Sequence, residues 1–235
     1  MKVECRSPRG ISSPLPPTNT RKIMSPSTLT TGHTVEELQE QTITYYDEHA
    51  KEYVQRTLDV DLGPLYDRFL THIPPGGHIL DAGCGSGRDT LYFFEQGYEV
   101  TAFDASEELA TLSSDITGQN TLHLRFQEID FRSAFDGIWA NASLLHVPPS
   151  EIDDVIARLS RALKAHGVLF ASFKRGEEDY TEGDRYFNCY TEDSLHTLFK
   201  RHPTLERVEV WTNQDRSRDS LTWLNAIYQK TRHEQ

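Results

Sequence analysis

The segment best equipped for chemistry is Ile79-Leu80-Asp81-Ala82-Gly83-Cys84-Gly85-Ser86-Gly87-Arg88. Glycines at alternate positions after an apolar run let backbone N–H groups approach a ligand closely, and a helix opening at Arg88 favours an anionic group at its N-terminus. A dinucleotide loop has the spacing Gly-x-Gly-x-x-Gly. Here the spacing is Gly-x-Gly-x-Gly, and Asp81 stands directly before it. A carboxylate at that point repels a pyrophosphate and attracts the ammonium of an amino acid, which favours S-adenosylmethionine (SAM) over NAD. A second acid, Asp104, ends the run Thr101-Ala102-Phe103. It follows the loop by roughly 20 residues, the interval at which a carboxylate accepts hydrogen bonds from ribose hydroxyls. Capping of the next helix is the competing role for Asp104, but Ser106 is better placed for it.

These residues need a scaffold, and the flanking pattern supplies one. Short β-type runs at His78–Asp81, Glu99–Phe103, Leu122–Phe126, Asp136–Ala140 and Val168–Phe173 alternate with helical stretches at Arg88–Gln96, Ser106–Asp115 and Ser150–Ala165. Such alternation with short loops predicts right-handed βαβ units and a parallel sheet covered on both faces. Gly97, Gly118 and Gly167 follow the three helices, where a left-handed residue is expected. Ahead of the sheet, Thr34 is a candidate N-cap with Glu36 and Glu37 in the first turn. Leu38, Ile43, Tyr46 and Tyr53 then carry an apolar face. A second helix is expected over Leu65–His72, ended by Pro74-Pro75-Gly76-Gly77. The tail predicts a helix at Thr191–Lys200, then Leu205–Thr212 and Ser220–Gln229 as an antiparallel pair joined by the charged loop Asn213–Asp219.

With these motifs in order, residues 45–173 resemble the class I SAM-dependent methyltransferases, in particular small bacterial enzymes similar to the tellurite-resistance methyltransferases. The matching stretches are Ile79–Thr90, Gly97–Asp104 and Phe135–Pro148. The resemblance implies a Rossmann-like α/β fold: a seven-stranded, mostly parallel sheet with helices on both faces and an antiparallel C-terminal strand. It also implies a SAM methyl moved to a nucleophile, with S-adenosylhomocysteine (SAH) as product. Asp81, Ala82, Gly83 and Gly85 match the loop that holds the methionine moiety, Asp104 the ribose ligand and Ala105 an apolar contact to adenine. Glu128, with Ile129 beside it, falls near the adenine amino group, with Gln127 as the alternative register. Asn141 lines the methionine side. Tyr53 and Arg56 match a lid over the methionine end, with Tyr45 or Tyr46 behind them. His146 stands in the loop after the fourth strand, where an ordinary pKa near 6.5 suits a general base. A structural role, bonding a neighbouring backbone group or shielding the sulfonium, is the competing assignment.

Beyond the fifth strand, the polar stretch from Phe173 to Tyr190 lies where loops build acceptor pockets. Arg175, Arg185 and Tyr190 are candidates to hold an anionic or planar acceptor, against the alternative of a solvated loop. Methyl transfer asks little covalent work of the protein, since the sulfonium is already electrophilic and alignment with water excluded is the main task. A thiolate or similar soft anion needs no base; a hydroxyl or ammonium does. An NAD-dependent oxidoreductase and a non-catalytic SAM-binding regulator are the alternative functions.

Composition narrows the partners. Net charge is −12, with 36 acidic against 24 basic residues, a field that repels phosphate backbones and makes a small-molecule acceptor the expectation over nucleic acid. The apolar runs are far shorter than the roughly 20 residues that span a bilayer, so no membrane insertion is expected. Cys5, Cys84 and Cys189 match neither a zinc spacing nor a disulfide framework, so no metal and a reducing cytoplasm are expected. Residues 1–33 are rich in Ser, Thr and Pro and basic at the start. They read as a disordered or artefactual extension, or faintly as a targeting segment, with Met24 as an alternative start. Residues 34–235 then form a single methyltransferase domain whose first part, 34–72, is a helical lid.

Overall fold

The computed structural model describes residues 34–215 and 221–231. The expected 1–33 extension and part of the Asn213–Asp219 loop lie outside the described residues. Helix α1 (Val35–Glu48) begins at the N-cap foreseen at Thr34. The Thr34 hydroxyl accepts from the Glu37 amide at 3.2 Å, and the Glu37 carboxylate accepts from the Thr34 amide at 2.7 Å. This reciprocal box satisfies two amides that would otherwise lack partners. The helical pattern read from Thr34 on to Tyr53 breaks at His49 (φ −114°, ψ 16°), where α2 (Ala50–Thr57) begins. The His49 ring Nδ1 lies 2.9 Å from the Tyr45 carbonyl and competes with the helical ladder there. Helix α3 (Gly63–Leu70) starts and ends earlier than its expected Leu65–His72, because Pro64 in its first turn has no amide to leave unpaired.

The sheet follows as β1 (His78–Ala82), β2 (Glu99–Asp104), β3 (Thr121–His123), β4 (Phe135–Ala140) and β5 (Leu163–Lys174). Helices α4 (Arg88–Glu95), α5 (Glu107–Thr117) and α6 (Ile152–Ala162) connect them. A short antiparallel hairpin, β6 (Tyr180–Glu182) and β7 (Arg185–Phe187), precedes α7 (Glu192–Phe199), β8 (Leu205–Gln214) and β9 (Thr222–Lys230). Strand order is β3-β2-β1-β4-β5-β9-β8. β1 to β5 pair in parallel, and β9 runs antiparallel to both neighbours. The fold is the expected Rossmann-like class. The chain winds outward from β1 in both directions, so the carboxyl ends of β1 and β4 frame a crevice at the switch point.

Successive strand residues point to opposite faces, and both faces are buried. Leu80, Ile138, Leu169 and Ala226 enter the core under α6 and α7, while their neighbours Ile79, Trp139, Phe170 and Ile227 enter the core under α3 and α4. Trp139 stacks on Phe170 with centroids 4.0 Å apart. This two-faced packing fixes the height at which each strand ends.

Several boundaries differ from the sequence-based expectation. Of Leu122–Phe126, the stretch to His123 pairs with β2, and the chain then leaves the sheet for a 3₁₀ turn at Phe126–Glu128. Gly97 and Gly118 take the expected left-handed conformation, with φ of 86° and 65°. Gly167 does not: His166 does (φ 65°), and helix α6 ends at Ala162 because Leu163 already pairs with Phe135 of β4. The β6–β7 hairpin was expected as loop.

Candidate active site

The glycine loop is anchored to the strand beside it. The Gly83 and Cys84 amides both donate to the Phe103 carbonyl, at 2.9 and 3.0 Å. Gly83 has φ 74°, and a Cβ there would lie 2.5 Å from Cβ of Ser143; at Gly85 (φ 56°) it would lie 3.0 Å from the Tyr53 ring. Side chains at either place would fill the space the loop leaves open. Asp104, at the end of β2, accepts from the Gly85 amide at 2.8 Å and from the Ser106 amide at 2.9 Å. Burial pushes its carboxyl above the ordinary range, and these backbone bonds oppose the shift. Each carboxylate oxygen retains a lone pair for a hydroxyl. Ser106, not Asp104, caps α5, accepting from the Leu109 amide at 3.1 Å.

Beneath the loop lies a second layer. Asp81 is buried and accepts from the Thr90 hydroxyl at 2.6 Å. Burial, reinforced by the Asp89 carboxylate nearby, raises its pKa well above the usual value. Asp89 is buried as well. Burial opposes its charge, but Arg88 at 2.6 Å, Tyr66 at 2.5 Å and Trp139 at 2.8 Å donate to it and hold its pKa low. Arg88 thus serves this buried acid and the Thr57 carbonyl, 3.1 Å away.

The first two helices close over the crevice. The Asp47 carboxylate of α1 accepts from the Ser106 hydroxyl at 2.6 Å, and Arg125 pairs with Glu40. The Thr42 hydroxyl accepts from the Tyr186 amide of β7 at 2.9 Å. After β4, Ala142 adopts φ 51°, a strained value for a residue with a Cβ, and its amide donates to Ser172 at 2.7 Å. That turn aims Ser143 and His146 inward. The His146 Nδ1 donates to the Tyr186 carbonyl at 2.6 Å, so its neutral ring presents Nε2 as acceptor to the Tyr46 hydroxyl at 3.0 Å. Burial, with Lys174 and Arg185 facing the ring, lowers the His146 pKa to about 3.

Together these elements enclose a cleft of about 670 Å³, its open mouth included. Of the residues expected from sequence, Tyr53, Gly83, Gly85, Asp104, Ala105 and His146 stand on its wall. Asp81 and Ala82 lie beneath the loop, Ala82 offering its carbonyl to the Ser143 hydroxyl at 2.6 Å. Glu128 is exposed and accepts from the Arg125 amide at 2.8 Å; Gln127, the alternative, lines the cleft instead. Ile129 is core. Asn141 is turned to Asp89 and Ser172, at 3.3 and 2.9 Å. Arg56 is exposed, 5.7 Å from the Tyr53 ring centroid. Tyr45 stacks on His49 and lies under the Arg185 guanidinium, off the cleft. Arg175 is exposed and paired with Glu192. Tyr190 is buried and accepts from the Asn188 amide at 2.9 Å. The stretch expected to build an acceptor pocket thus supplies its own partners.

Sequence reasoning passed over several wall residues: Gln39 and Thr42 on α1, Phe103, Leu109, Phe126 and Ser143. On α1, Gln39, Ile43 and Tyr46 recur at helical spacing, a signal present in the sequence but masked because Gln39 and Thr42 are polar.

The match to known proteins bears on this geometry. A family model described as a methyltransferase domain matches residues 80–171, from β1 into β5. An uncharacterised methyltransferase of Staphylococcus carnosus is 28% identical over 162 residues, covering 64% of this chain and 78% of its own. A malonyl-[acyl-carrier protein] O-methyltransferase of Enterobacter lignolyticus is 30% identical over 127 residues, 53% of this chain. The match spans about half the length of that relative, 47%. Among solved structures, the 1,6-didemethyltoxoflavin-N1-methyltransferase of Burkholderia thailandensis, bound to 1,6-didemethyltoxoflavin and SAH, superposes with a TM-score of 0.69 at 27% identity. It covers 84% of this chain and 88% of that one. The chain is a class I SAM-dependent methyltransferase. Its cofactor is SAM, and the dinucleotide alternative falls away. The methyltransferase's own residues are compatible with that group: two glycines where a Cβ would obstruct, and the Asp104 carboxylate on the cleft wall. Among the described residues of the methyltransferase, no helix is long and apolar enough to cross a membrane, and no cluster of metal-ligating side chains occurs.

Proposed function

We propose that this methyltransferase acts on a small-molecule nucleophile by in-line displacement. The observation that carries the reading is the walled cleft joining the glycine loop, Asp104, the first two helices and His146. When bound, SAM supplies an electrophilic methyl group. Asp104 accepts from the ribose hydroxyls, Ala105 and Gln127 flank adenine, and Gly83 and Gly85 leave room for the methionine chain. Tyr53 and Tyr46 cover the opposite side and exclude water, the main protein contribution to such a reaction. In this reading, α1 and α2 are the lid of a single domain spanning 34–235. His146, with both ring nitrogens engaged, positions groups rather than taking protons. Negative net charge and the small organic acceptor named for the Burkholderia relative support a small acceptor here.

The test uses SAM labelled on its methyl group, incubated with cell extract separated by dialysis. Label should appear in the dialysable fraction with release of SAH. Label confined to protein or nucleic acid overturns the small-molecule assignment. Tight SAH binding with no transfer to either fraction would favour a non-catalytic binder instead.

A further inference from the structure

We propose that the methyl acceptor is an organic anion that enters already deprotonated, and that Tyr46 is the donor that meets it; this rests on the small-molecule reading above. The argument begins with what the cleft lacks. Among the described residues, Asp104 is the one carboxylate on the wall, and it is committed to the Gly85 and Ser106 amides beside the ribose position. The Ser143 hydroxyl is spent on the Ala82 carbonyl, and the Thr42 hydroxyl on the Leu38 carbonyl. His146 is the remaining candidate base, and its bonds point the wrong way. Its Nδ1 proton is given to a backbone carbonyl, which locks the tautomer, and the Lys174 and Arg185 cations facing the ring disfavour the imidazolium that a base at Nε2 would become.

Charges of both signs surround this pair. Tyr53 of α2, Asp104 of β2, Lys174 of β5 and Arg185 of β7 face Tyr46 or His146. Lys174 and Arg185 both disfavour an imidazolium, and both pair with Glu182. The Arg185 Nε is buried without a hydrogen-bond partner. These two cations favour an anion in the adjacent space, and the Asp104 carboxylate opposes it. The Tyr46 hydroxyl is a rotor: turning from a neutral ring nitrogen to an anion exchanges an ordinary hydrogen bond for a stronger, charge-assisted one. Transfer then balances without a base. The anion's lone pair forms the bond to the methyl carbon, the carbon–sulfur bond breaks with its pair left on sulfur, and no proton is released. Carboxylates and thiolates meet this description; amines and phenols, protonated near neutral pH, do not.

Calorimetry on the full chain saturated with SAH tests the proposal with two matched probe pairs: benzoate against benzamide, and 4-nitrothiophenolate against 4-nitrothioanisole. In at least one pair the anion should bind ten-fold or more tightly than its neutral partner. Tyr46→Phe, compared with wild type at saturating SAH, should remove most of that preference. Equal binding within both pairs, absence of anion binding, or a preference that survives Tyr46→Phe overturns the proposal. SAH that fails to bind would instead sink the methyltransferase reading itself. Nitrogen NMR of the His146 ring adds a check independent of acceptor: the ring should stay neutral from pH 8 to pH 5, and titration within that range overturns its assignment as a non-base.

Discussion

At the scale of single residues, two half-buried polar groups carry opposite tasks. Asp104 keeps its carboxylate at the cleft wall by accepting two backbone amides, which opposes the desolvation that would protonate it. Asp104→Ala removes an acceptor bonded by charge-assisted hydrogen bonds, each worth about 1.5–3 kcal/mol. SAM affinity should therefore fall ten- to a hundred-fold or more, roughly, by calorimetry; unchanged affinity would refute the ribose role. His146 is held neutral. Its folded pKa, near 3, lies below its unfolded value, so between about pH 6.5 and 3 the unfolded chain binds a proton that the folded chain refuses. The stability this neutral histidine supports is full above pH 6.5 and declines as pH falls, by at most about 1.4 kcal/mol per pH unit. Chemical denaturation should show wild type losing stability faster than His146→Gln between pH 6.5 and 4.5; parallel curves would contradict the shift.

At the scale of elements, the site depends on where strands stop and what leans over them. The turn after β4 stores strain at Ala142. Ala142→Gly relieves a left-handed conformation and offsets the entropy that glycine adds to the unfolded chain. Its stability should stay within about 1 kcal/mol of wild type, whereas Ala142→Val, β-branched at positive φ, should lose more. Equal denaturation midpoints for the two variants would argue against strain. Helix α1, proposed above as part of a lid, is joined to the rest of the fold by polar contacts: Asp47 to Ser106, Thr42 to Tyr186, Tyr46 to His146. Asp47→Ala leaves the Ser106 hydroxyl without its carboxylate and should speed amide exchange in α1 while α4 stays protected. Uniform exchange across both helices would mean that the lid does not open separately.

At the scale of the whole molecule, two aromatic and aliphatic layers hold a twisted sheet between them. Trp139 sits where the layers and the site meet: fully buried, stacked on Phe170, and donating to Asp89 at 2.8 Å. Trp139→Ala should cost about 3–5 kcal/mol, with the loss of the Asp89 partner adding to the cavity. Trp139→Phe keeps most of the volume but still orphans one bond to Asp89, so its loss should be smaller and should grow with pH as Asp89 ionises. Denaturation of both variants separates packing from hydrogen bonding.

The alternation of strands and helices, the glycine loop and the acids Asp81 and Asp104 were legible in the chain because they are local: period, turn chemistry and spacing along one segment. The antiparallel pairing of β8 with β9 was legible in the rhythm of the tail, but the insertion of β9 between β5 and β8 was not. What the chain could not disclose is which side chains converge. Gln127 rather than Glu128 faces the cleft because β3 ends at His123 and a 3₁₀ turn resets the register. Arg175 and Tyr190 left the site because a hairpin and the start of α7 gave them nearer partners. His146 remained open to two roles until Tyr46 and the Tyr186 carbonyl were seen at its two nitrogens. Those contacts join segments 100 and 40 residues apart in the chain. Long-range packing, which no local pattern encodes, decided them.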